Sequence, residues 1–95
     1  MGVHRFRKRP VEVEAVQWRG DNVAELVSFA GFRFRTVVAG AHGGDTDVTA
    51  EVLDVLHSTW VGIKTGQWVI RGVKGEFYPI DGEVLQETYE PVVSL

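Results

Sequence analysis

The densest set of side chains able to do chemistry lies at residues 68–78, WVIRGVKGEFY. Arg71 and Lys74 flank a loop bounded by Gly72 and Gly75, with Trp68 and Tyr78 close by. Loop amides beside two cations make a concavity that attracts anions. An arginine fork gives a phosphate or carboxylate two parallel hydrogen bonds. Aromatic rings offer a base a stacking surface. The expectation is a small anionic, nucleotide-like ligand held by Trp68, Arg71, Lys74 and Tyr78. The same residues also have an architectural reading. In it the glycines make a tight turn, Trp68, Phe77 and Tyr78 are core, and Lys74 is a solvated loop tip. Gln17 and Trp18, followed by Arg19, form a second candidate pocket lining. A tryptophan at a strand end is also a common packing anchor.

Catalysis needs a nucleophile, a base or a metal in mutual geometry. His4, His42 and His57 are scattered over a terminus, a loop and a strand end, with no HxH or HExxH spacing. His42, Asp45 and Asp47 in HGGDTD are ligand types that a divalent metal accepts. Loops of that composition are common without one. The glycines follow neither GxxxxGK[ST] nor GxGxxG, and Ser28, Ser58 and Ser94 lack a nucleophile elbow. The chain is read as non-enzymatic, with no cofactor and no metal site.

These candidates must be positioned by short elements. VEVEAVQW, residues 11–18, begins in strict alternation and then switches parity, because Val16 and Trp18 are the later apolar positions. Such a strand needs a bulge, a twist or cover on both faces. Residues 21–30 read as a helix capped by Asn22 with Glu25 in capping-box position. Val23, Leu26, Val27 and Ala30 form its apolar face, and Gly31 ends it. FRFRTVV reads as a half-buried strand that sets Arg33 and Arg35 on one wet face. AGAHGGDTD, residues 39–47, reads as a mobile loop. Residues 48–56 fit helix or strand, and strand over 51–56 is preferred. Strands follow at 59–64, 68–71 and 76–79, the last two joined by GVKG, whose Gly72 and Gly75 supply positive φ. Asp81 caps a closing helix with Val84, Leu85, Thr88 and Tyr89 on one side, and Pro91 stops it. Strands around two short helices, without a βαβ rhythm, define a small single α+β domain with a mostly antiparallel sheet.

The bulk properties agree. The 95 residues suffice for one domain. Hydrophobic residues at 44% and charged residues at 24% fit a globular chain rather than a disordered one. Absence of cysteine excludes a disulfide scaffold. No apolar run approaches the ~20 residues of a membrane span, and the basic opening MGVHRFRKRP has no apolar stretch behind it, so no signal peptide is expected. The cytoplasm is the expected location. A net charge of −3 gives no general attraction to nucleic acid. Charge is uneven, however: residues 1–35 carry seven basic and four acidic side chains, and residues 36–95 carry three and nine. Residues 1–9 thus form a basic arm, able to grip phosphate or simply to protect a terminal strand edge. One subunit's basic end could also meet another's acidic end. Three tryptophans, five phenylalanines and two tyrosines are many rings for so thin a core, which favours a homo-oligomer.

FRKRPVEVEAVQW at 6–18, GQWVIRGVKGEFYP at 66–79 and ETYEP at 87–91 resemble the terminal blocks of a family of small phage and prophage proteins. Residues 32–58 carry no motif of that family. Gln67 stands where the family often has Asp, and Ile80 where it often has Cys. The valine- and glycine-rich, lysine-poor composition is similar to actinobacterial phage versions. The resemblance implies a small fold of this type and a phage setting in a host cytoplasm, but no reaction. The expectation is a non-enzymatic accessory protein, probed by two alternatives. One is binding of a small nucleotide-like ligand, as in counter-defence. The other is protein–protein interaction with a host factor or within virion assembly.

Overall fold

The structure, a computed structural model, describes residues 2–7 and 10–92. The remainder of the basic arm (residues 1, 8 and 9) and Ser94 lie outside the described residues. The strands are β1 (Glu14–Gln17), β2 (Phe34–Thr36), β3 (Val48–Asp54), β4 (Thr59–Lys64), β5 (Trp68–Arg71) and β6 (Phe77–Ile80). The helices are α1 (Val23–Ala30) and α2 (Gly82–Thr88). The strands pair antiparallel in two three-stranded sheets, ordered β1-β5-β6 and β2-β3-β4. This is the α+β class expected from the sequence. No helix among the described residues is long and apolar enough to cross a membrane.

Alternation decides what each sheet buries. Val16, Val69 and Phe77 share one face of the first sheet. Phe34, Ala50, Val52, Val61 and Ile63 share one face of the second. Both faces contribute to one apolar cluster, with Leu26 and Ala30 of α1 joining it. Trp18 meets Phe34 edge-on at 5.2 Å, and Phe29 meets Phe77 edge-on at 5.5 Å. A fully buried aliphatic side chain contributes about 1.5–3 kcal/mol. Leu26, Val52, Ile63 and Val69, all fully buried, therefore do much to hold the sheets together.

Several local expectations are corrected by how the chain turns. FRFRTVV is not a strand from Phe32. Gly31, at φ 62°, ends α1 and opens a 3₁₀ turn over Gly31–Arg33. Alternation begins only at Phe34, so Phe34 is buried while Phe32 is 77% exposed. Arg33 and Arg35 consequently part company: Arg33 lies over the Phe32 and Phe77 rings, and Arg35 over Trp60. β3 covers Val48–Asp54 rather than 51–56, because residues 55–58 make the turn into β4. Val23 and Val27 remain exposed, since an eight-residue helix turns only Leu26 and Ala30 fully into the core.

Asn22 and Asp81 occupy N-cap positions, yet neither side chain caps a backbone N–H of its helix; Asn22 Nδ2 instead donates to Glu25 Oε1 at 2.7 Å. Asn22 accepts from the Arg19 N–H at 2.8 Å and donates to the Gln17 carbonyl at 2.7 Å, tying α1 to β1. Asp81 accepts from Gln67 Nε2 at 2.9 Å. In the β5–β6 loop only Gly75 takes positive φ, at 79°. Gly72 serves a close approach instead: a Cβ there would stand 2.0 Å from Glu76 Oε1.

Candidate functional site

The side chains grouped by the sequence are divided by the first sheet. Along β5, Trp68 and Ile70 face one way and Val69 and Arg71 the other. Gln17 is in register with Trp68, and Tyr78 with Ile70. Trp68, Tyr78 and Gln17 therefore share the outer face, and Arg71 sits on the opposite one with Glu14 and Phe77. Lys74 is at the exposed hairpin tip, where its backbone N–H donates to Glu76 Oε2 at 3.0 Å. Trp18, at 1% exposure, belongs to the core, and its indole N–H donates to Thr49 Oγ1 at 2.9 Å. That threonine lies at the register shift in β3 and also bonds Thr65, at 2.8 Å.

The partners of these residues are equally telling. Arg71 Nε donates to Glu14 Oε1 at 3.0 Å, and its guanidinium lies 4.8 Å from the Phe29 ring centroid. The hollow of about 610 Å³ beside Arg71, Gly72 and Gly75 is also lined by Glu12 and Glu14. An anion entering it meets two carboxylates and an arginine already paired. Gln17 Nε2 donates to the Gly66 carbonyl at 3.0 Å. Burial pushes the Tyr78 phenol up to about 12, helped by its hydrogen bond with Tyr89 and by the charge of Glu76.

The larger hollow is a groove of about 930 Å³ on the outer face of the first sheet. One wall is the extended segment 10–13, and the other is α2 with the residues that follow it. Ala15 and Trp68 line it from the sheet, and Val11, Val13, Leu85 and Val92 make it apolar. Glu12, Gln86, Thr88, Tyr89 and Glu90 add polar groups to it. The parity switch in VEVEAVQW is met by covering both faces: Val16 packs on the core and Ala15 faces the groove. α2 buries no residue fully, and the Tyr78–Tyr89 bond fastens its end to the sheet. The Trp68 indole N–H has no hydrogen-bond partner among the described residues. Residues 75–95 contain five carboxylates and no lysine or arginine, so this side of the molecule is acidic.

Comparison with protein-family models, with curated proteins and with solved structures finds no match.

Sequence reasoning missed a second cluster, on the outer face of the other sheet. Arg35, Glu51 and Gly62 are cross-strand neighbours, with Leu53 and Trp60 beside them. Glu51, only 6% exposed, accepts from Arg35 Nε at 2.8 Å and bonds His42 Nδ1. The Arg35 guanidinium lies 3.7 Å from the Trp60 ring centroid. The His42 ring sits on Gly62, where a Cβ would approach Cδ2 to 2.9 Å. Burial alone would raise the Glu51 carboxyl, but the bonds and charges of His42 and Arg35 outweigh it and hold it below its ordinary value. The loop expected to be mobile is thus tethered at His42. Asp45 Oδ1 accepts from the Asp47 N–H at 2.9 Å, and the Asp45 N–H donates to the His42 carbonyl at 3.1 Å. Among the described residues no three His, Asp or Glu side chains gather as a metal site. A signal for the cluster existed in the sequence, a glutamate set between the apolar Ala50 and Val52 of β3, VTAEVLD.

Proposed function

We propose that this chain is a non-enzymatic binding protein of phage type that engages a protein partner through the groove between residues 10–13 and α2. The observation carrying this reading is the open apolar groove over Trp68, Ala15 and Leu85, edged by Glu12 and Glu90. Apolar surface left open beside a polar rim is the usual character of an interaction surface. The fitting ligand is an extended segment with one or two large apolar side chains and flanking lysine or arginine. The Trp68 indole N–H, unpaired among the described residues, would meet a backbone carbonyl of that segment. Of the two readings of the sequence, interaction with a protein is favoured over a small anionic ligand. The latter would have to displace Glu14 from Arg71 and lie near Glu12.

Selection from a displayed random-peptide library tests the reading. The selected peptides should be apolar and basic, and Leu85→Lys should abolish their binding while the circular dichroism spectrum stays unchanged. Retention of full binding by a folded Leu85→Lys variant would contradict it.

A further inference from the structure

We infer that the groove is occupied by the N-terminal arm of a second copy of this chain, in a reciprocal arm exchange. This rests on the reading of the groove as an interaction surface and names its occupant. Among the described residues, the apolar side chains of the arm stand in solvent. Val3 is 96% and Phe6 92% exposed, and among the described residues the arm's one ring contact is internal, between His4 and Phe6. An aromatic ring left wholly in water is unfavourable, and it is the kind of side chain that anchors an interface.

Charge and shape match the groove. The first nine residues carry four lysines and arginines and no carboxylate, whereas residues 75–95 carry the reverse pattern. Phe6 would fill the apolar space beside Trp68 and Leu85, and Arg5 and Arg7 would face Glu12 and Glu90. Such complementarity fixes register and speeds encounter.

The arm's own groove is out of easy reach. Pro10 and residues 11–13 already form one wall of it. To enter, the arm would have to reverse tightly at that wall. Proline has fixed φ, and the residue before it is driven toward extended backbone. Because each copy offers one arm and one groove, a two-fold pair satisfies both and closes.

The test is light scattering of the full-length chain after size exclusion, with variants Phe6→Asp in the arm and Leu85→Lys or Val11→Lys in the groove. The wild type should run as a dimer. Phe6→Asp and either groove variant should run as monomers, their dissociation constants raised about thirtyfold or more, the scale of an interface hot spot. Mixing Phe6→Asp with Leu85→Lys should restore a mixed dimer, since one intact arm then meets one intact groove. A monomeric wild type, or a dimer indifferent to Phe6→Asp, overturns the exchange. So does a dimer lost in Phe6→Asp but kept by both folded groove variants. If the exchange fails while library-selected peptides still lose binding in Leu85→Lys, the groove retains its role with a different partner. If neither effect appears, both readings fall.

Discussion

The outer faces of the two sheets are built from similar materials and end in opposite states. On the second sheet, Trp60 is stacked by Arg35, Arg35 is bonded to Glu51, and Glu51 is bonded to His42. On the first sheet, Trp68 lines an open groove with its indole N–H unpaired among the described residues. Both faces present a tryptophan near carboxylates. The difference is that one face has its polar groups answered by its own chain, and the other lines an open groove with apolar walls. Residue type alone does not mark a binding surface. Whether the partner is already supplied by the fold does.

Trp18 gives the largest way to sharpen this contrast. Trp18→Ala should cost about 3–5 kcal/mol, the range for removing a large buried ring, seen as a much lower denaturant midpoint. A loss of that size with no selective effect on partner binding would confirm Trp18 as core. Next comes the closed face. Glu51→Ala leaves Arg35 and His42 without their acceptor and should cost about 1.5–3 kcal/mol, read by urea unfolding. Gly62→Ala pushes against the His42 ring and should act on the same network with a smaller loss, about 1 kcal/mol. Combined with Glu51→Ala its effect should be less than additive, which a double-mutant cycle measures.

The pH dependence follows from the same carboxylate. Glu51 titrates below its ordinary value in the folded state, so folding favours its ionised form. Its contribution is complete above the unfolded value of about 4.3 and fades as pH falls through the lower folded value. Urea midpoints of the wild type should decline below about pH 4.5, and Glu51→Gln should remove part of that slope. The smallest effect is expected at Arg71. Its pairing with exposed Glu14 is a surface contact, so Arg71→Ala should shift stability by less than about 1 kcal/mol and leave peptide binding intact. Loss of binding there would return the site to the hairpin.

Much of the fold was legible because short-range signals agreed with it. The strands expected at 59–64 and 68–71 are β4 and β5, Gly31 marked the end of α1, and Gly75 marked the hairpin turn. The misjudged places were those where a distant residue competes. Asn22 and Asp81 looked like helix caps, but their side chains bond Gln17, Arg19 and Glu25 in the one case and Gln67 in the other, and no helix backbone N–H. FRFRTVV looked like a strand from Phe32, but the 3₁₀ turn takes up Gly31–Arg33 and the alternation begins only at Phe34. The site was half legible. Trp68, Tyr78 and Gln17 do share a face, but strand parity separates them from Arg71, and only the pairing register reveals that Glu14 neutralises it. The His42–Glu51 contact joins a loop to a strand, and no spacing rule in the sequence links them.

The three tryptophans make one measurement decisive, because they report the core, the closed face and the groove separately. The indole N–H resonances of Trp18, Trp60 and Trp68 can be followed by heteronuclear NMR while a library-selected peptide is added. The Trp68 resonance should move or exchange on binding, with Trp18 and Trp60 unchanged. A shift at Trp60 with Trp68 unmoved would contradict the assignment of the groove as the interaction surface.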